Sequence, residues 1–157
     1  SSGLLGADSI CQQLADSAGL PGSYMAWLSD FADSPATRFR RSPGPYQLVD
    51  GTRIASSWND LTDGSLANGI HVDERGTAVP SSPLQRVWTN TNPDGTQSSS
   101  DRYLHCGSWG TGSDIMDGRA VFGLTGLASE TLTNAIFTGA GDRRCNEFNR
   151  LYCFQQS

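Results

Sequence analysis

Three sets of side chains in this chain have types and spacings that could do chemistry: four cysteines, two histidines and a run of arginines. Cys11, Cys106, Cys145 and Cys153 contain no Cys-x-x-Cys pair, and His71 and His105 stand far from one another, so a structural zinc site is not expected. An even number of cysteines in an acidic, loop-rich chain points to two disulfides and an oxidising compartment, hence to a secreted or cell-surface protein. Four cysteines allow three pairings, and their spacing leaves all three open. A bond from Cys11 to Cys153 would close a loop of about 140 residues and contribute roughly 4–5 kcal/mol on the chain-entropy account. A hydrolase triad needs Ser or Cys beside His and an oriented acid. His105 alternates with apolar neighbours and His71 sits in a strand-like segment, so each reads as a packed or surface histidine. With no Gly-x-Ser-x-Gly, phosphate-loop or His-Glu-x-x-His string, the chain reads as a binding module and not as an enzyme. Arg38, Arg40 and Arg41 carry planar guanidinium forks suited to carboxylate or sulfate.

The charge balance narrows the partners. All 11 basic residues are Arg, against 16 Asp and Glu, for a net charge of −5. That balance argues against sequence-independent nucleic-acid binding, which needs a net basic face. No apolar run approaches a membrane span, so no membrane insertion is expected, and Ser1-Ser2-Gly3-Leu4-Leu5 lacks the basic start of a signal peptide.

At 157 residues the chain is expected to fold as one domain, residues 1–157 with a core from about 7 to 155. Gly, Ser, Thr and Asn fill 57 positions, which favours loops and turns over long helices. Ile10, Cys11, Leu14, Ala15 and Ala18 recur at helical spacing, with Asp8 or Ser9 as cap and Gly19 and Pro21 as stop. Residues 22–30 read as a strand, residues 34–45 with three prolines as an exposed loop, and Asp50-Gly51 as a hairpin turn. Ser57 followed by Asp60 predicts a short helix ending before Gly64. Ile70–Asp73 alternates like a strand, and Val87-Trp88-Thr89 leads into Asn90–Asp101, a polar segment expected as a long surface loop. Tyr103–Trp109 and Leu151–Phe154 read as strands, with short apolar runs at Ala120–Phe122 and Ala135–Phe137.

Taken in order, the Cys11 helix, the Trp-Leu strand, Asp50-Gly51-Thr52, Ser57-Trp58, Val87-Trp88-Thr89 with Asn92-Pro93-Asp94-Gly95, Cys106-Gly107-Ser108-Trp109 and Cys145-x7-Cys153-Phe154 resemble endostatin, the C-terminal domain of collagens XV and XVIII. They resemble bacterial secreted domains of the same fold more closely still. The resemblance covers about Ala7 to Gln155. It implies an α+β, C-type-lectin-like fold: a mixed, mainly antiparallel sheet, one or two short helices, long loops, and nested disulfides Cys11–Cys153 and Cys106–Cys145.

Not every family property transfers. Endostatin's zinc site uses N-terminal histidines, and residues 1–7 have none. Its heparin surface is Arg-rich; here Arg38, Arg40 and Arg41 occupy the matching loop, with Arg143 and Arg144 as candidate neighbours. C-type lectins hold sugar through calcium, and Asn92-Pro93-Asp94 offers suitable oxygen ligands, with Asp101, Asp114 and Asp117 as further donors; the same string forms turns without any metal. Calcium is therefore a possible cofactor and none is required. The expected role is extracellular recognition of a glycan, or of a cell-surface or matrix protein, through the loops at 38–45 and 90–101, with Asn90, Asn92, Asp94 and Asp101 as contacts. The alternative is a structural head domain of a fibrous or collagen-like protein, with a homotrimer as its expected state; an enzyme of unrecognised type comes third.

Overall fold

The computed structural model describes residues 3–79, 86–98, 109, 122–124 and 150–156. Helix α1 spans Leu4–Ser17. It begins a turn before the expected cap, because Leu4 and Ala7 extend the buried stripe of Cys11 and Ala15 at spacings of three and four. Ile10 and Leu14, expected on the packed face, are 50% and 41% exposed. Beyond the helix, Leu20 N–H returns to Ala15 O at 2.9 Å, ending it where the Gly19-x-Pro21 signal stood.

Strand β1 (Tyr24–Ala26) pairs antiparallel with β6 (Cys153–Gln155), Tyr24 opposite Gln155 and Ala26 opposite Cys153. Alternation along β1 and its continuation divides the core in two. Met25 and Trp27 face an aromatic cluster with Phe39, Tyr46, Trp58, Tyr152 and Phe154. Ala26 and Leu28 face the helix, packing with Leu4, Ala7, Cys11 and Trp88. Of the three possible cysteine pairings, the one with Cys11–Cys153 is present, with Cα atoms 5.5 Å apart and a sequence separation of 142. Cys106 and Cys145 lie outside the described residues.

Strands β2 (Tyr46–Gln47) and β3 (Arg53–Ala55) form the hairpin expected around Asp50-Gly51. Helices α2 (Pro35–Arg38) and α3 (Trp58–Leu61) are single turns. Ser57 caps α3 as its spacing predicts, its Oγ accepting from Asp60 N–H at 3.2 Å. The Asp60 carboxylate accepts from Ser56 N–H and the Ser56 hydroxyl, and these two bonds hold it below the usual carboxylate range. Ile70–Asp73 does not form the expected strand; Val72 makes an isolated bridge to Ala78. Strand β4 (Arg86–Trp88) pairs antiparallel with β5 (Phe122–Leu124), and Val87 also bridges Arg150 in parallel. Among the described residues the architecture is α+β, with short antiparallel two-stranded sheets, three helices where one or two were expected, and one disulfide. No helix among the described residues is long and apolar enough to cross a membrane.

Candidate functional site

The segment from Ser34 to Pro45 corrects one expectation, since it opens with α2 and not with an exposed loop. Thr37 Oγ1 accepts from Ser34 N–H at 3.0 Å and donates to Ser34 O at 2.9 Å. Pro35 takes the first helical position, where no N–H is needed. Ser-Pro-x-Thr carried that signal in the sequence.

This turn of helix separates the three arginines. Arg38 points inward, its Nη1 2.7 Å from Asp8 Oδ2 and its Nη2 donating to Ala26 O at 3.2 Å, with only 12% of its side chain exposed. Asp8 Oδ1 accepts from Ala26 N–H at 2.9 Å. Asp8 is therefore not the helix cap; it ties α1, β1 and α2 together through one guanidinium. Removing either partner would strand a largely desolvated charge. Arg40 and Arg41 are exposed. Arg40 N–H donates to Gln156 Oε1 at 2.8 Å, which anchors the backbone, and the Arg41 guanidinium lies 5.1 Å from the Trp58 ring centre. At that distance the ring face attracts the cation.

The segment from Asn90 corrects a second expectation. Thr89, Asn90 and Thr91 are 0% exposed, so the chain runs through the interior before it surfaces. Ser29 N–H donates to Thr89 O at 3.0 Å, Asn90 Nδ2 donates to Ser29 O at 3.2 Å, and the Ser29 and Thr91 hydroxyls are 2.8 Å apart. Trp109 Nε1 also donates to Ser29 O, at 2.8 Å. These bonds let polar side chains occupy a buried strip. Asn90 adopts φ 45°, a left-handed conformation that Asn enters more readily than most residues.

The chain emerges at Asn92–Thr96 as a tight turn. Asp94 Oδ1 accepts from Thr96 N–H at 2.9 Å and from its hydroxyl at 2.6 Å, while Asn92 Nδ2 donates to Thr96 Oγ1 and to Gln97 O, each at 3.1 Å. These side chains hold the turn itself. Among the described residues no group of three or more His, Cys, Asp or Glu could hold a metal ion. Asp101, Asp114 and Asp117, the further donors considered for calcium, lie outside the described residues, as do Arg143 and Arg144.

Two separated segments nevertheless meet. Ala36 N–H donates to Gly95 O at 2.9 Å, and Gly95 sits so close to Trp58 and Trp27 that an added Cβ would lie 3.3 Å from Trp58 Cζ2 and 3.4 Å from Trp27 Cη2. Trp58 thus carries Arg41 over its ring and the Asn92–Thr96 turn against its edge. Of the sequence candidates, Arg41 lies over Trp58 and Asn92 and Asp94 belong to the turn packed on it, Arg40 is exposed next to Arg41 in the chain, Arg38 is engaged inside the fold and Asn90 has no exposed surface. The sequence marks Asp8 only as a helix cap and Trp58 only as part of the Ser57-Trp58 motif, neither as a site residue. Nothing in the local sequence of Asp8 marks its partner 30 positions away, and Trp58 reads as a core residue like the other tryptophans.

Comparison with family models and with curated proteins finds no match to this chain.

Proposed function

We propose that the chain is an extracellular recognition module of endostatin-like, C-type-lectin-like fold that binds an anionic glycan, sulfated or carboxylated, at the surface around Trp58. The supporting observation is the junction of α2 with the Asn92–Thr96 turn on that indole, beside the exposed Arg40 and Arg41. A guanidinium laid over an aromatic ring keeps its N–H donors at its edge, and stacking reduces the freedom it must lose when it binds a sulfate or carboxylate. The backbone beneath is held by Ala36, Gly95 and Gln156, so the surface is organised before a ligand arrives. In this reading Cys106 and Cys145 form the second, inner bridge, and both bridges persist because the protein works outside the cell.

An array of sulfated and unsulfated glycans, probed with and without calcium, tests the proposal. Binding is expected on sulfated members and should weaken as salt rises. The double variant Arg40→Ala/Arg41→Ala should lose about tenfold in affinity, or roughly 1.4 kcal/mol. Binding indifferent to sulfation, or unchanged in the double variant, overturns the proposal. A native-state calcium site would raise the melting temperature in the calcium arm. Peptide mapping that joined Cys106 to anything but Cys145 would remove the lectin-like bridge pattern.

A further inference from the structure

The Cys11–Cys153 bond is unevenly buried. Cys11 is 1% exposed, on the packed stripe of α1 among Leu4, Ala7, Ala26 and Leu28, while Cys153 is exposed. Both line an open groove of about 570 Å³ whose walls include Ile10, Leu14 and Val49. Those three side chains are among the five large hydrophobic residues exposed within the described part of the chain. An open groove with apolar walls therefore leads to a disulfide.

Thiol–disulfide exchange proceeds by attack of a thiolate on one sulfur while the other leaves, so access decides which sulfur is attacked. Approach to Cys11 is blocked by the packing of α1 on β1, whereas Cys153, on the helix side of the sheet opposite Ala26, is an exposed residue at the groove. We propose that Cys153 Sγ is a site of covalent thiol capture, and that the groove favours a thiol carried on an uncharged, apolar body. The incoming thiolate's electron pair forms the new S–S bond to Cys153 Sγ. The Cys11–Cys153 bond breaks, and its pair leaves on Cys11 Sγ, which takes a proton from water. A second equivalent of the same thiol can attack the mixed disulfide, leaving Cys153 as a thiol and the two external thiols joined as their disulfide. The net change is a two-electron reduction of the bridge, with the external thiol as reductant. Helix α1 stays docked throughout, because the Asp8–Arg38 pair and the bond from Ala26 N–H to Asp8 do not depend on the bridge.

The test uses the whole folded protein, treated separately with benzyl mercaptan and with glutathione. Each rate is divided by that thiol's rate on a small reference disulfide, and the reaction is quenched in acid, alkylated and mapped by peptide mass. The adduct is expected on Cys153 and the alkyl label on Cys11, at about ten to one or better, with the normalised rate about tenfold higher for benzyl mercaptan. Capture should change little at low urea, as expected for reaction in the native state. Adducts on Cys11, an even split, equal normalised rates, or a capture rate that follows global unfolding in urea each overturn the proposal. Leu14→Gln, at an exposed helical position, should reduce the preference for benzyl mercaptan at least about threefold; an unchanged preference removes the groove from the argument.

Discussion

The turns at Leu48–Thr52 and Asn92–Thr96 are built alike and placed differently. In each, the first residue's N–H donates to the fifth residue's carbonyl at 2.8 Å, and the fourth residue's N–H returns to the first carbonyl at 2.9 Å. In each, an Asp at the third position accepts from the Thr N–H at 2.9 Å, and a Gly at the fourth has positive φ, 90° at Gly51 and 85° at Gly95. Both are three-residue hairpin loops closed by a left-handed glycine. Yet a Cβ on Gly51 would meet nothing within 4 Å, while one on Gly95 would press on two tryptophans and the Ala36 nitrogen. Local chemistry makes the turn; only the tertiary surroundings make one of the two a structural joint.

The comparison is broken most forcefully at the indole. Trp58→Ala should cost about 3–5 kcal/mol, the usual range for deleting a buried aromatic, measured as a loss of stability in urea unfolding. The milder Trp58→Phe should preserve the fold while reducing the contact that sets Gly95 apart. Gly95→Ala comes next. It incurs the left-handed penalty of a Cβ together with overpacking against the rings, and a loss of about 2–4 kcal/mol is expected. Gly51→Ala should cost about 1 kcal/mol, because the same backbone penalty is partly offset by a less flexible unfolded chain. Equal losses at the two glycines would show that the Trp58 packing does not load the second turn. In the Trp58→Phe background the gap between them should narrow, a direct double-mutant test of coupling.

The smallest effect is expected at Asp50. Thr52 N–H, then the Thr52 hydroxyl and the charge of nearby His71, hold its carboxyl below its usual 3.8. A carboxyl lowered in the folded state contributes stability above the unfolded value, and that contribution is lost as pH falls through the folded one. Acid unfolding of the native protein should therefore steepen below about pH 4, and Asp50→Asn should flatten that part of the profile. An identical acid limb in the variant would show that the first turn does not depend on its carboxylate.

How far the sequence could be read follows the range of each interaction. Asp-Gly turns and the Ser57 cap are settled within about five residues, and both were legible. The single turn α2 was equally local, but three prolines nearby made the segment read as a loop. The start of α1 is not legible locally, because Leu4 and Ala7 become strand-facing core only once β1 lies beneath them. Asn90–Asp101 looked like surface because its composition is polar, and Thr89, Asn90 and Thr91 are buried only because Ser29, 60 or so positions away, supplies hydrogen-bond partners. Among the candidate ligand contacts, Arg40 and Arg41 kept their exposure while Arg38 lost its own to Asp8.

By itself, the sequence determined the two glycine turns, the cap of α3 and the existence of an amphipathic helix carrying Cys11, because each is decided by backbone geometry and hydrogen bonds among near neighbours. The tertiary structure alone decided that Arg38 turns inward and that Trp58 joins α2 to the Asn92–Thr96 turn, and among the three pairings that cysteine spacing left open it holds the Cys11–Cys153 bond that the resemblance implied. Those outcomes depend on which distant surfaces exclude water together, and no local pattern encodes that.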